Sequence, residues 1–209
     1  MSETEEIERL LERAAVADPD AVDGLLLRYR KRIKRMVRLR LSRRLQGRVD
    51  DSDIVQDAYL EAAKRLDDYL RDRPLPFFLW LRHLTGEKII DAHRRHLGAQ
   101  MRDAGLEVSL HHGVMPTAKS ASLAAQLLGQ LTSPSEAAVK AETRVRVQEV
   151  LNSMDPLDRE ILALRHFEQL KNNEAAQTLD ISESTASSRY LRALKRLHEE
   201  LRGIPGLLS

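Results

Sequence analysis

The chain has 209 residues, 32% of them charged and 42% in the apolar set, with a formal net charge of +2 and no cysteine. That length supports one large domain or two small ones, and the 4% aromatic content disfavours an aromatic-rich β core. Disulfides and thiolate metal sites are excluded, and no apolar run approaches the ~18 residues of a membrane span.

In chain order, the acidic, amphipathic start MSETEEIERLLERAA has neither the basic start nor the apolar stretch of a signal peptide, so a cytoplasmic protein is expected. Ile7, Leu10, Leu11 and Ala14 share one side of a first helix, which Asp18-Pro19-Asp20 breaks. A second helix carries Leu25, Leu26, Ile33, Met36, Val37 and Leu41, with Gly47 as its end. Asp50, Asp51, Ser52 and Asp53 offer cap oxygens and negative charge to a third helix, whose stripe is Val55, Ala58, Tyr59, Ala62 and Leu66. The Pro-containing loop RDRPLPFF (71–78) precedes a fourth helix running to about Leu97. From Gly98 to Ser135 glycines and prolines recur without a steady period, and only SLAAQLLGQL suits a short helix; a domain boundary is expected there. SPSE then starts a helix with Ser133 as cap, Pro134 in the first turn and Glu136 returning to the cap, and DPLD repeats the signal at Asp155. No strand pattern competes. The reading is all-α: residues 1–97 and 135–209 form two helical domains, and 98–134 is a flexible linker.

Charge is segregated. Between Arg28 and Arg48, eleven of twenty-one residues are basic and none is acidic: Arg28, Arg30, Lys31, Arg32, Lys34, Arg35, Arg38, Arg40, Arg43, Arg44 and Arg48. Such a run is usually a solvated face. Here the charges repel one another along a helix, and a polyanion such as nucleic acid would relieve that.

The stretch AAQTLDISESTASSRYLRALKRL (175–197) holds two helical patterns around a polar turn. Ala175, Ala176 and Leu179 face inward, Asp180 stands where a left-handed residue is needed, Ile181 plugs the corner and Ser182 caps the next helix. That helix buries Ala186, Tyr190, Leu194 and Leu197. It shows Ser184, Ser187, Ser188, Leu191, Arg192 and Lys195, flanked by Arg189 and Arg196. Short hydroxyls let a helix enter a major groove, and arginine reaches guanine edges or phosphates. Spacing alone fits an ordinary αα-hairpin with a basic outer face equally well. The inner-face pattern, corner residue and capped second helix together favour a helix-turn-helix.

At these residues the chain resembles a known family. PLDREILALRHFEQLKNNEAAQTLDISESTASSRYLRALKRL (156–197) is similar to region 4 of sigma-70 family factors, which reads the promoter −35 element. DSDIVQDAYLEAAKRL (51–66) resembles region 2.2, which grips the clamp helices of RNA polymerase, and FFLWLRHLTGEKIIDAHRRH (77–96) resembles regions 2.3–2.4, which read and open the −10 element. Nothing looks like region 1.1 or a folded region 3, a combination that identifies the extracytoplasmic-function (ECF) group. The wording RRHLGAQMRDAGLEVSL, with SLAAQLLG later, is similar to ECF factors of planctomycete-type bacteria. Departures lie at Lys171, where the family opens its first helix with Ser and Asn172 is the substitute cap; at Asp180 in place of the usual turn Gly; and at Ser187 in place of a basic residue.

The resemblance implies these roles. Asp53, Gln56, Asp57, Leu60 and Glu61 bind core polymerase. Tyr69, Arg71, Arg73, Phe77, Lys88, Arg94 and Arg95 bind the −10 DNA, with a flipped base held in the loop spanning about 67–76. Of the aromatic group Tyr69, Phe77, Phe78 and Trp80, the two nearer the loop, Tyr69 and Phe77, are the candidates for stacking on a base. Ser184, Thr185, Ser187, Ser188, Arg189, Arg192, Lys195 and Arg196 bind the −35 DNA. Partners would be core RNA polymerase through clamp helices and flap, promoter DNA and, left open, an anti-sigma factor. Trp80, among Leu79, Leu81 and Leu84, is expected in the core. His93, His96, His111 and His112 suggest a metal only if further ligands join them, and neither a carboxylate trio nor a cysteine does. With no nucleophile elbow, phosphate loop or paired catalytic carboxylates, no catalytic residue, cofactor or metal is assigned. The rival readings are a stand-alone helix-turn-helix regulator, which has no need of the 51–66 helix, and a metal-dependent enzyme built on the histidines.

Overall fold

The computed structural model describes residues 3–42, 45, 47–97, 107–110, 113–131 and 137–202. The chain divides into two compact units, residues 1–37 with 44–103 and residues 38–43 with 104–209.

The first unit contains α1 (Glu3–Ala15), most of α2 (Pro19–Arg40), α3 (Asp51–Asp72) and α4 (Phe77–Leu97). The junction of α1 and α2 is made by Asp18, whose carboxylate accepts from Arg13 Nε at 2.8 Å and from the Asp20 amide at 3.0 Å. Gly24 on α2 allows a close approach of α1, since a Cβ there would meet Leu10 at 3.3 Å. Asp50 caps α3 by accepting from the Ser52 amide at 2.8 Å. Ile54, Val55, Ala58, Ala62, Leu66 and Tyr69 form the buried stripe of α3, and the Tyr59 hydroxyl donates to Leu26 O on α2 at 2.7 Å. Trp80 is buried, as expected, and stacks on Tyr69 with ring centroids 4.5 Å apart.

The second unit contains an antiparallel ribbon, β1 (Glu107–Leu110) paired with β2 (Gly113–Pro116), then α5 (Ser120–Leu131), α6 (Ala137–Ser153), α7 (Pro156–Leu162), a π-helical turn (Ala163–Phe167), α8 (Asn172–Leu179) and α9 (Glu183–Arg202). The ribbon corrects the expectation that no strand forms; four-residue strands are too short to show an alternating pattern. Within the stretch read as linker, α5 places Leu123, Ala124, Leu127 and Leu128 in one core with Val147, Leu151, Phe167, Ala193 and Leu197. Ser133, Pro134, Glu136, Arg43, Arg44, His111 and His112 lie outside the described residues.

The end of α2 corrects the reading of the basic block. The helix stops at Arg40, well before Gly47, and Arg40 is fully buried in the second unit. Its Nε donates to Glu168 Oε1 at 2.8 Å, its Nη1 to Pro116 O at 2.6 Å and its Nη2 to Glu160 Oε1, while Glu160 Oε2 accepts from the Ala118 amide at 3.2 Å. Burial alone would lower the guanidinium pKa; Glu160 and Glu168 reverse that and raise it above the ordinary arginine value. Arg40 is therefore a core ion, not part of a surface field. Others in the block are also committed: Arg28 pairs with Glu6 at 2.8 Å, Lys34 donates to Ser52 at 2.8 Å, and the Arg32 guanidinium lies 3.6 Å from the Phe78 ring centroid. Arg30, Lys31, Arg38 and Arg48 are exposed.

Candidate nucleic-acid interface and acidic face

The helix-turn-helix is built as its residue types require. Lys171 N donates to Glu174 Oε2 at 2.8 Å at the start of α8, and Asn172 does not cap; its Nδ2 donates to Glu183 O at 2.9 Å, tying the starts of the two helices together. Asp180 takes φ 55°, and the Ile181 amide reaches back to Ala176 O at 3.1 Å, closing a left-handed helix end without glycine. Ser182 Oγ accepts from the Thr185 amide at 3.1 Å and lies 2.9 and 2.8 Å from the hydroxyls of Ser184 and Thr185. Those two expected DNA contacts are thus tied into the cap of α9.

Ala186, Ala193, Leu197 and Leu201 are the buried side of α9, and Tyr190 and Leu194 are half-buried. Ala193 was not expected there. Opposite runs an exposed stripe of Ser184, Ser187, Ser188, Leu191, Arg192 and Lys195, recurring every three or four residues. Leu191, 64% exposed near the middle of the stripe, is an apolar tip suited to a thymine methyl group. Arg196 is exposed and donates to Ser153 Oγ at 3.1 Å.

The two central arginines share one carboxylate. Arg192 grips Asp158 with Nε and Nη2, both at 2.7 Å, and Arg189 Nη1 donates to the same Asp158 at 2.7 Å and to Asp155 at 3.3 Å. Burial works to raise the Asp158 pKa, but hydrogen bonds from Arg192 and Arg189 outweigh it and hold the carboxyl below its usual range. Arg192 is raised above its ordinary value, first by its hydrogen bond to Asp158. Arg189 is half-buried and acts as a strut between α9 and the start of α7, whereas the Arg192 side chain is 60% exposed. Sequence reasoning missed Asp158. Its only visible signal was an acid in the first turn of a helix.

On α3, Asp53, Gln56, Asp57 and Leu60 are all exposed and lie on one face at helical spacing, with Leu60 at 55%. Glu61 does not join them as an available carboxylate. It accepts from Lys88 Nζ at 3.0 Å and pairs with Arg65 Nε at 2.6 Å, and those partners, Lys88 first, lower its pKa. The pair joins α3 to α4, so the two residues expected at polymerase and at −10 DNA are ion-paired with each other.

The expected stacking rings are also corrected. Tyr69 and Phe77 are each only 4% exposed, because they pack on one another and on Trp80. The Tyr69 hydroxyl donates to Leu75 O at 3.0 Å, and burial pushes its pKa up to about 12. Neither ring is offered to a base. α3 runs to Asp72, so the loop before α4 spans only residues 73–76. Arg73, at φ 39°, pairs with Glu8 at 2.9 Å, and Arg71 pairs with Asp68. Arg94 and Arg95 are exposed on the last turn of α4. Among the described residues no group of three or more acidic or histidine side chains is placed to hold a metal, and no helix is long and apolar enough to cross a membrane.

Residues 144–197 match the family description "Sigma-70, region 4". The chain is 26% identical over 197 residues to the ECF RNA polymerase sigma factor SigD of Mycobacterium tuberculosis, covering 94% of this chain and 84% of that protein. It is 25% identical over 198 residues to the RNA polymerase sigma-H factor of Pseudomonas aeruginosa, covering 94% of each. In fold it is similar to CnrH, solved in complex with the cytosolic domain of CnrY, with a TM-score of 0.55 at 21% identity over 94% of this chain and 97% of that one. It is also similar to the sigma factor RpoE of Bartonella quintana, solved with the anti-sigma factor NepR, with a TM-score of 0.50 at 19% identity over 89% and 99%.

Proposed function

We infer that this chain belongs to the sigma-70 family in its extracytoplasmic-function group: it binds core RNA polymerase and directs promoter-specific transcription initiation by recognising −10 and −35 elements. The observation that carries this is the coincidence of the sigma-70 region 4 match at 144–197 with a capped helix-turn-helix whose outer stripe is hydroxyls, Leu191, Arg192 and Lys195. A stand-alone helix-turn-helix regulator gives no reason for sigma factors to match 94% of the chain.

The division of labour is our proposal. The unit holding α3 and α4 would dock on the clamp helices through Asp53, Gln56, Asp57 and Leu60 and hold −10 phosphates with Arg94 and Arg95, while Arg71 stands before, and Arg73 opens, the loop that would take a flipped base. The unit holding α8 and α9 would read the −35 element and touch the flap. Polymerase supplies the chemistry, so no catalytic residue is needed, and the place of action is the cytoplasm, where core polymerase works. Support for an anti-sigma partner is that the similar RpoE was solved with one. Kinship with the factors of planctomycete-type bacteria is supported by sequence wording alone.

The test is transcription by core polymerase from a library randomised at the −35 position. Arg192→Ala is expected to relax base preference there, since a bidentate arginine–guanine contact contributes ~1–3 kcal/mol of discrimination. An unchanged preference would mean that the reading face is misplaced. A second measurement addresses the basic block. Neutralising exposed Arg30 and Lys31 should flatten the salt dependence of the polymerase–promoter complex by about 0.9 log–log units for each phosphate no longer neutralised. A slope equal to that of the parent would assign these residues to solvent or to polymerase.

A further inference from the structure

The Asp158–Arg192 pair does more than hold two helices together. A guanidinium has a side edge, Nε with one Nη, and an end edge formed by its two Nη groups, and either edge satisfies a two-acceptor partner. Asp158 takes the side edge of Arg192 with both hydrogen bonds at 2.7 Å. Asp158 is itself fixed: its side chain is 9% exposed, and Oδ1 also accepts from Arg189 Nη1 at 2.7 Å. The Arg192 side chain is 60% exposed on the α9 stripe that also carries Leu191, and neither bond to Asp158 uses its Nη1. Guanine shows O6 and N7 in the major groove as a two-acceptor pattern that the end edge matches, whereas adenine shows a donor and an acceptor.

Resting on the reading of α9 as the −35 helix, we propose that Asp158 is a positioning residue for base selection: it clamps one edge of Arg192 so that the other edge selects guanine at a single −35 position. A long arginine side chain otherwise samples many rotamers and satisfies phosphates as readily as bases. The clamp removes that freedom before DNA arrives, so discrimination rises without a new contact to the base. The carboxylate never touches DNA. It acts on the base through Arg192, while its bond to Arg189 holds the carboxylate in place, although it lies outside the helix-turn-helix in sequence.

The test uses the full chain with core polymerase and a promoter library randomised at the −35 element, read as base preference at each position beside total output. Asp158→Asn keeps the side-chain volume. Asp158→Ser keeps one acceptor oxygen in the first turn of α7 but cannot serve both nitrogens, and it stands in if a melt shows the Asn variant poorly folded. Each is expected to lower guanine preference about tenfold at the one position that Arg192→Ala also relaxes, with the other positions unchanged. Adding Asp158→Asn to Arg192→Ala should change preference no further. An even loss of output with preference intact would reduce Asp158 to a packing role and overturn the proposal. A rise in output at every sequence would also overturn it, making Asp158 a competitor for DNA. If Arg192→Ala itself leaves preference unchanged, the −35 reading fails and the proposal with it; if Arg192→Ala relaxes preference while both Asp158 variants do not, only the proposal fails.

Discussion

Asp57→Arg is expected to abolish capture of core RNA polymerase and promoter-dependent transcription while leaving the fold intact. Asp53, Gln56, Asp57 and Leu60 sit together on the exposed side of α3, and the residues that the core needs, Val55, Ala58, Ala62 and Leu66, lie on the other side. Carboxylates around an exposed leucine make a poor surface for DNA and a good one for a basic protein helix, because charge steers the encounter and the leucine supplies buried area. Reversing the central charge sets like charges against each other, which costs several kcal/mol, or about a thousandfold in affinity. A surface change away from caps and pairs usually stays within about 0.5 kcal/mol in stability. The measurement is a polymerase pull-down beside a thermal melt. A folded Asp57→Arg protein that still binds polymerase and initiates normally would remove this face from the site.

Arg40→Met should have the largest effect on stability. The substitution leaves Glu160 and Glu168, 2% and 0% exposed, without their shared cation. Removing one partner from a buried ion cluster costs about 3–5 kcal/mol, a large part of the 5–15 kcal/mol that holds a typical domain folded. The whole cluster is worth less than that figure implies, because all three ions also gave up hydration on folding. Combining Arg40→Met with Glu160→Gln and Glu168→Gln should therefore recover part of the loss. Urea unfolding followed by circular dichroism reads both changes. An Arg40→Met midpoint equal to that of the parent would show that the carboxylates find other partners or water.

What could be read in the sequence was local. Asp50, Asp155 and Ser182 announce helix starts because a cap needs only its own next two or three residues, and Asp180 marks its corner because few side chains tolerate φ near 55°. The exposed stripes of α3 and α9 follow from helical spacing. What stayed hidden was pairing across distance. Arg40 looks like its neighbours in a basic run, and its two carboxylates stand 120 and 128 positions away. Glu61 and Lys88 are 27 apart, and Asp158 is 34 from Arg192. Tyr69 and Phe77 flank a loop, where rings are often exposed, yet Trp80 gives both a packing partner. The leucines of α5 show no more than a short apolar run until the core of Leu151, Phe167 and Leu197 is assembled around them.

The claim that this chain directs initiation is tested most directly by run-off transcription with purified core polymerase on genomic fragments, with the start sites mapped. Core polymerase alone should be silent on duplex fragments. Adding the chain should yield discrete starts sharing one −35 sequence and one −10 sequence at fixed separation. Binding of the chain to palindromic DNA as a dimer, with no start sites gained by polymerase, would contradict it and restore the stand-alone regulator.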